Sequence, residues 1–170
     1  VVSGSMWSNR NDLYLGFRGS HNTLLVTNGG TLRSYGWTSI AGDSNSAGNT
    51  AIVTGPGSAW VTTNEFRVGQ NGSSNRLEIR DGASVSNGWS MHVGDSATAH
   101  GNGVLVTGTN TRWVIRETFR IGEYSAGNRM DLRDGAFLSD SNAYLGAGFS
   151  GFSGNVVCVS GPGTVWTNTG

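Results

Sequence analysis

A tryptophan that returns every 53 residues is the strongest constraint on what this chain can fold into. Trp7, Trp60, Trp113 and Trp166 keep that step throughout. Asparagines divide the interval: Asn22, Asn49, Asn75, Asn102, Asn128 and Asn155 follow one another in steps that alternate 27 and 26 residues. Self-similarity at a fixed period is the mark of a stacked repeat. The true repeat is therefore a pair of unlike halves, one carrying the Trp and one not.

Each half reads as three short strands. The first alternates, with Leu24/Val26, Ala51/Val53, Leu77/Ile79, Val104/Val106, Met130/Leu132 and Val157/Val159 on one face. Apolar residues at period two mean a strand buried on one side. Asn28-Gly29, Asp81-Gly82 and Asp134-Gly135 then turn one half-type. The other turns at Gly55-Pro56-Gly57, Gly108-Thr109-Asn110 and Gly161-Pro162-Gly163. Asn, Asp and Gly tolerate the positive φ of a sharp corner. The second strand carries Trp7, Leu32, Trp60, Val85, Trp113, Leu138 and Trp166 in turn. Large and small side chains alternating in one column interdigitate, where a Trp in every layer would overfill it. The third strand reads apolar–x–apolar–Gly, as in Phe66-Arg67-Val68-Gly69, and only Ser39-Ile40-Ala41-Gly42 leaves its register open.

Three strands in 26–27 residues make one coil of a parallel β-solenoid, whose apolar face is buried only when coils stack. The expected fold is all-β, a right-handed parallel β-helix of about six coils with a double repeat of 53 residues, stacked at roughly 4.8 Å per coil. A β-propeller requires four antiparallel strands per blade and fits less well. Residues 1–170 form a single domain, expected to be a segment of a longer protein or a subunit whose ends neighbours cover, since neither end shows a capping element. Self-association, end to end or lateral, is the expected partnership.

The stretches V-T-G-P-G-S-A-W at 53–60, F-R-V-G at 66–69 and L-E-I-R-D-G-A-S-V at 77–85 resemble the repeats of bacterial autotransporter (type V secretion) passengers and PEP-CTERM-associated surface proteins. The resemblance extends over essentially the whole chain in about three double repeats. It implies an exported bacterial protein, at the cell surface or extracellular, and no catalytic residues. The first coil departs from the pattern, being shorter at its turn, Val2-Ser3-Gly4-Ser5-Met6-Trp7.

Function is narrowed mainly by exclusion. Eleven basic and eleven acidic residues leave no net charge, which argues against nucleic acid or an anionic membrane as a partner. All eleven basic residues are Arg. Cys158 stands alone, no apolar run reaches the length of a membrane span, and no nucleophile or phosphate-loop motif occurs. His21, His92 and His100 occupy unrelated repeat positions. Asp43 and Asp95, each after a Gly, lack the nonapeptide calcium pattern and read as solvated turns. No metal and no cofactor is expected. Glu78 with Arg80 and Asp131 with Arg133 recur 53 residues apart, as a repeated ion-pair row does and a single catalytic centre need not.

The Asn series reads as a structural ladder of stacked amides, with a ligand-binding row as its rival. The outward position of the third strand holds Tyr14, Arg67, His92, Arg120 and Tyr144, a row able to stack on sugar rings and hold acidic groups. A second outward row, Leu25, Ile52, Leu105 and Cys158, reads as an exposed apolar surface for lateral packing. The sequence thus points to a non-catalytic structural solenoid, an adhesin or passenger stalk or a filament-forming subunit. A carbohydrate-binding module is the alternative, followed by a polysaccharide lyase or hydrolase.

Overall fold

The computed structural model describes residues 1–148 and 152–170. Every regular element among them is a strand, and the strands form three parallel sheets, two of seven strands and one of six. Within each sheet the order follows the chain, so that each strand pairs with its counterpart one coil earlier and one coil later. One coil consists of Arg76–Arg80, Ser84–Asn87 and Met91–Val93. The chain is a β-solenoid of about six turns, and its parallel pairing rules out propeller blades.

The registers align the expected columns residue by residue. On the second sheet Trp7, Leu32, Trp60, Val85, Trp113, Leu138 and Trp166 pair in succession. Trp60 and Trp113 are fully buried, and their rings lie 4.7 and 5.2 Å from those of Phe66 and Phe119 on the third sheet. The first sheet closes the triangular core with Ala51/Val53, Leu77/Ile79, Val104/Val106 and Met130/Leu132, all buried.

Each core indole N–H finds an acceptor in the coil before it. Trp60 Nε1 donates to Ser34 Oγ (3.3 Å), Trp113 Nε1 to Asn87 Oδ1 (2.8 Å) and Trp166 Nε1 to Asp140 Oδ2 (2.9 Å). Ser34, Asn87 and Asp140 are themselves 53 residues apart. Ser58, Thr111 and Thr164 share that period and accept from the turn amides of Gly29, Gly82 and Gly135.

Asp140 is the one ionisable member of the acceptor series. Burial pushes its carboxyl above the ordinary range, and hydrogen bonds from Trp166 and Asn168 offset this only in part. A raised carboxyl pKa favours folding below the unfolded value of about 3.8, and that contribution is lost as pH rises through the folded value. Asp140→Asn, which copies Asn87, removes the buried charge and is therefore expected to raise Tm at pH 7. The advantage should vanish as pH falls into the ordinary carboxylate range. Melting curves across pH check both; a lower Tm at pH 7 would show that the charge itself is needed.

The open register at 38–42 resolves with Thr38 paired to Phe66, Ser39 to Arg67 and Ile40 to Val68. Ala41 then occupies the position that Gly16 and Gly69 fill, at φ 66°. Glycine is otherwise needed there because the following coil brings its closing Asn against it: a Cβ on Gly69 would run into the Asn102 amide. This register also separates two aspartates. Asp95 directly follows Gly94 of this column, whereas Asp43 lies one place further along and caps a turn through the Asn45 amide (3.1 Å).

Candidate functional site

The most chemically distinctive surface is the outer face of the third sheet. Register places Tyr14, Ser39, Arg67, His92, Arg120 and Tyr144 in one row. The row is not the open platform expected from the sequence. Tyr14 and Tyr144 are exposed at its ends, but the middle is covered, His92 being 8% exposed and Ser39 buried. Arg67 is bound by Glu65, approaches Asp95 Oδ2 with Nε at 2.9 Å, and stacks its guanidinium 4.9 Å from the Trp37 ring. Arg120 reaches Glu123 Oε1 at 3.5 Å and lies 5.8 Å from the Tyr144 ring. Both guanidiniums are thus engaged by carboxylates, which removes the reason for expecting this row to hold an acidic sugar.

The carboxylates come from the position just after the column glycine. Parallel pairing continues past the strand there, Asp95 N–H donating to Gly69 O at 3.0 Å. Gln70, Asp95 and Glu123 therefore stack in a row beside Arg67, His92 and Arg120. His92 Nδ1 lies 3.1 Å from Asp95 Oδ1 and 3.2 Å from Glu123 Oε2. Burial would raise the Asp95 carboxyl, but contact with His92 and the charges of His92, Arg67 and Arg120 outweigh it and leave Asp95 below its ordinary value. Four of the five buried side-chain polar atoms without an aligned hydrogen bond among the described residues belong to this face: Ser39 Oγ, Arg67 Nε, Gln70 Oε1 and His92 Nδ1.

The Asn series forms a continuous hydrogen-bonded ladder at the corner between the third and first sheets. The backbone N–H of Asn22, Asn49, Asn75, Asn102 and Asn128 each donates to Oδ1 of the next Asn at 2.9 Å. The side-chain amides of Asn22, Asn49, Asn75 and Asn128 add a second bond to the same oxygen at 2.8–3.1 Å. Asn102 instead turns its amide to Ala99 O. Asn49, Asn75, Asn102 and Asn128 are buried, so the interior rungs offer nothing to a ligand.

The remaining surface expectations change in detail. Leu25, Ile52, Glu78, Leu105, Asp131 and Cys158 do share a row. Leu105 is nevertheless buried and its row-mates only half-exposed, so no open apolar strip is formed. Glu78 is bound by Arg76 (2.7 Å) as well as by Arg80 (3.5 Å). Asp131 pairs with Arg129 (2.6 Å) rather than Arg133, which turns to Asp134. Glu78 and Asp131 interrupt the apolar row, and the Arg76 and Arg129 side chains flank Leu105 from beside it.

Trp37 and Trp89, both about half exposed, lie outside the 53-residue period and escape sequence reasoning. Each sits at the corner between second and third strands, two coils apart. Glu65 and Glu123 escape it as well, and Asp95, read from the sequence as a solvated turn, instead joins them around the Arg and His side chains of the row. No family model matches this chain, and no curated protein or solved structure matches it either.

Proposed function

We propose that this chain is a non-catalytic structural β-solenoid of an exported bacterial surface or extracellular protein, a stalk that supplies length. The carrying observation is that the same core columns and the Asn ladder run in register through successive levels of the stack. Large and small residues alternate in the Trp column, so a Trp coil packs best beside an aliphatic one. Levels that repeat in this way each add length, which favours a stalk. Export is supported by the repeat resemblance at 53–85.

The test replaces residues 167–170 with a copy of residues 114–155, which completes the Trp166 coil and adds one aliphatic coil. The extended protein should melt several degrees higher and lengthen by roughly 5 Å per added coil. Replacing Leu138 of the graft by Trp should abolish the gain. An extended chain no more stable than its parent would sink the stalk reading, and product released from a panel of acidic and neutral glycans would sink the non-catalytic one.

Exposed Trp37 and Trp89 support a second reading, a carbohydrate-binding surface, since aromatic faces stack on sugar rings. They stand two coils, roughly 10 Å, apart along the rod. A glycan array with the wild type and a Trp37→Ala/Trp89→Ala variant tests it: binding that the double variant loses supports this reading, and no binding by the wild type removes it.

A further inference from the structure

We propose that His92 Nδ1, Asp95 Oδ1 and Glu123 Oε2 form a binding site for a first-row divalent cation of the zinc type, clipping two adjacent coils together.

Two ligands about 2.0–2.1 Å from a tetrahedral zinc are roughly 3.3 Å apart. His92 Nδ1 stands 3.1 and 3.2 Å from the two carboxylate oxygens, and all three donor atoms lie within 4.8 Å of one another. His92 and Asp95 belong to one coil and Glu123 to the next, whose third strands pair directly. The three donor atoms therefore stand close enough for one ion to reach them all.

Hydrogen bonding alone leaves this arrangement unsatisfied. Nδ1 is buried and makes no aligned hydrogen bond, and a single ring proton satisfies at most one of the two oxygens that face it. Once an ion has displaced any proton from Nδ1, three lone pairs converge on one point. A buried polar group without a partner commonly marks an ion or water site.

The outer carboxylate oxygens are held by arginines. Asp95 turns Oδ2 to Arg67 and Oδ1 to His92, while Glu123 turns Oε1 to Arg120 and Oε2 to His92. Each carboxylate is therefore gripped from behind by an Arg, leaving its inner oxygen aimed at the imidazole nitrogen. Arg67 is held in turn by Glu65 and the Trp37 ring. Metal ligands are oriented by second partners of this kind. With any Nδ1 proton displaced by the ion, Glu65, Asp95 and Glu123 outweigh Arg67 and Arg120 by one negative charge, so the ion is electrostatically accepted. One imidazole with two carboxylates selects zinc, manganese or iron over calcium, which asks for six to eight oxygens. Three protein ligands leave a position for water.

The experiment titrates the purified chain, stripped with chelator, with Zn²⁺ and Co²⁺. The expected result is one equivalent bound, a Tm rise with Zn²⁺ that EDTA reverses, and a visible Co²⁺ absorption band from tetrahedral coordination. Ca²⁺ and Mg²⁺ should leave Tm unchanged. His92→Gln should weaken binding by about tenfold or more, and so should Glu123→Gln, which keeps the shape of the site if the first variant folds poorly. The His21→Gln/His100→Gln variant should bind like the wild type. Absence of Zn²⁺ binding, or binding that His92→Gln and Glu123→Gln leave intact, overturns the proposal.

Discussion

Asn75→Ala is expected to lower stability by about 3–5 kcal/mol, more than almost any surface or loop change in this protein. Asn75 is buried in mid-stack. Its Oδ1 accepts from the backbone N–H and the side-chain amide of Asn49 at 2.9 and 3.1 Å. Its own amide donates to Asn102 Oδ1 and Ser73 O at 3.0 and 2.9 Å. Alanine strands the Asn49 backbone N–H and one of its amide hydrogens inside the corner, and each such orphan costs about 1–3 kcal/mol. Against a total stability of about 5–15 kcal/mol, this is a large fraction. Asn75→Asp sharpens the test, since it keeps the acceptor but loses the donor and faces Asn102 Oδ1 with a carboxylate; it too should be severely destabilised at pH 7. Asn22→Ala, at the exposed end of the ladder, should cost about 1 kcal/mol or less. Urea unfolding of the three variants checks the order, and an Asn75→Ala protein as stable as the wild type would sink the ladder as a source of stability.

The fold was legible because a solenoid writes its geometry into the sequence as a period. Trp60 and Trp113, the six Asn residues and the paired apolar residues of the first strand each do the same job at every level, so repetition alone places them. The hydrogen-bond acceptors Ser34, Asn87 and Asp140 obey the same period yet differ in chemistry. They are found only by asking where three core indole N–H groups send their hydrogen bonds. Ala41 hid the register of its coil by standing, at positive φ, where glycine is expected. The row of Gln70, Asp95 and Glu123 follows regular glycines but changes chemistry at each level, so no repetition marks it.

The polar cluster was illegible for a different reason. Arg67, His92 and Arg120 are readable as an outward row, but their meaning depends on carboxylates from a neighbouring row and on Trp37, none of which repeats. A row of Arg and aromatic side chains looks like a surface for acidic sugars until Glu65, Asp95 and Glu123 are seen to occupy the guanidiniums. The covered Leu105 follows the same logic, because long Arg side chains such as Arg76 and Arg129 lie over apolar neighbours while keeping their heads in water.

Trp113→Ala is expected to cost about 3–5 kcal/mol, the range for removing a buried aromatic side chain. The indole packs edge-on against Phe119 and lies between Val85 and Leu138 in its column. Its removal opens a cavity that the flanking coils cannot close, because their spacing of roughly 4.8 Å is set by backbone hydrogen bonds. It also deprives Asn87 Oδ1 of its donor. Trp113→Phe separates the two effects, retaining most of the volume and losing only the N–H, and should cost about 1–2 kcal/mol. Val85→Trp overfills its layer, at about 1–3 kcal/mol or more. The informative variant combines Trp113→Val with Val85→Trp, which conserves the side-chain volume of the pair. Were packing a matter of neighbouring pairs, the two changes would compensate. The column argues otherwise, because the exchange sets the introduced indole directly on Trp60 and leaves the introduced valine facing Leu138, one crowded layer beside one empty one. The double variant should therefore be at least as unstable as the worse single variant in urea unfolding. A double variant close to wild-type stability would mean that the strict alternation of coil types is not a packing requirement.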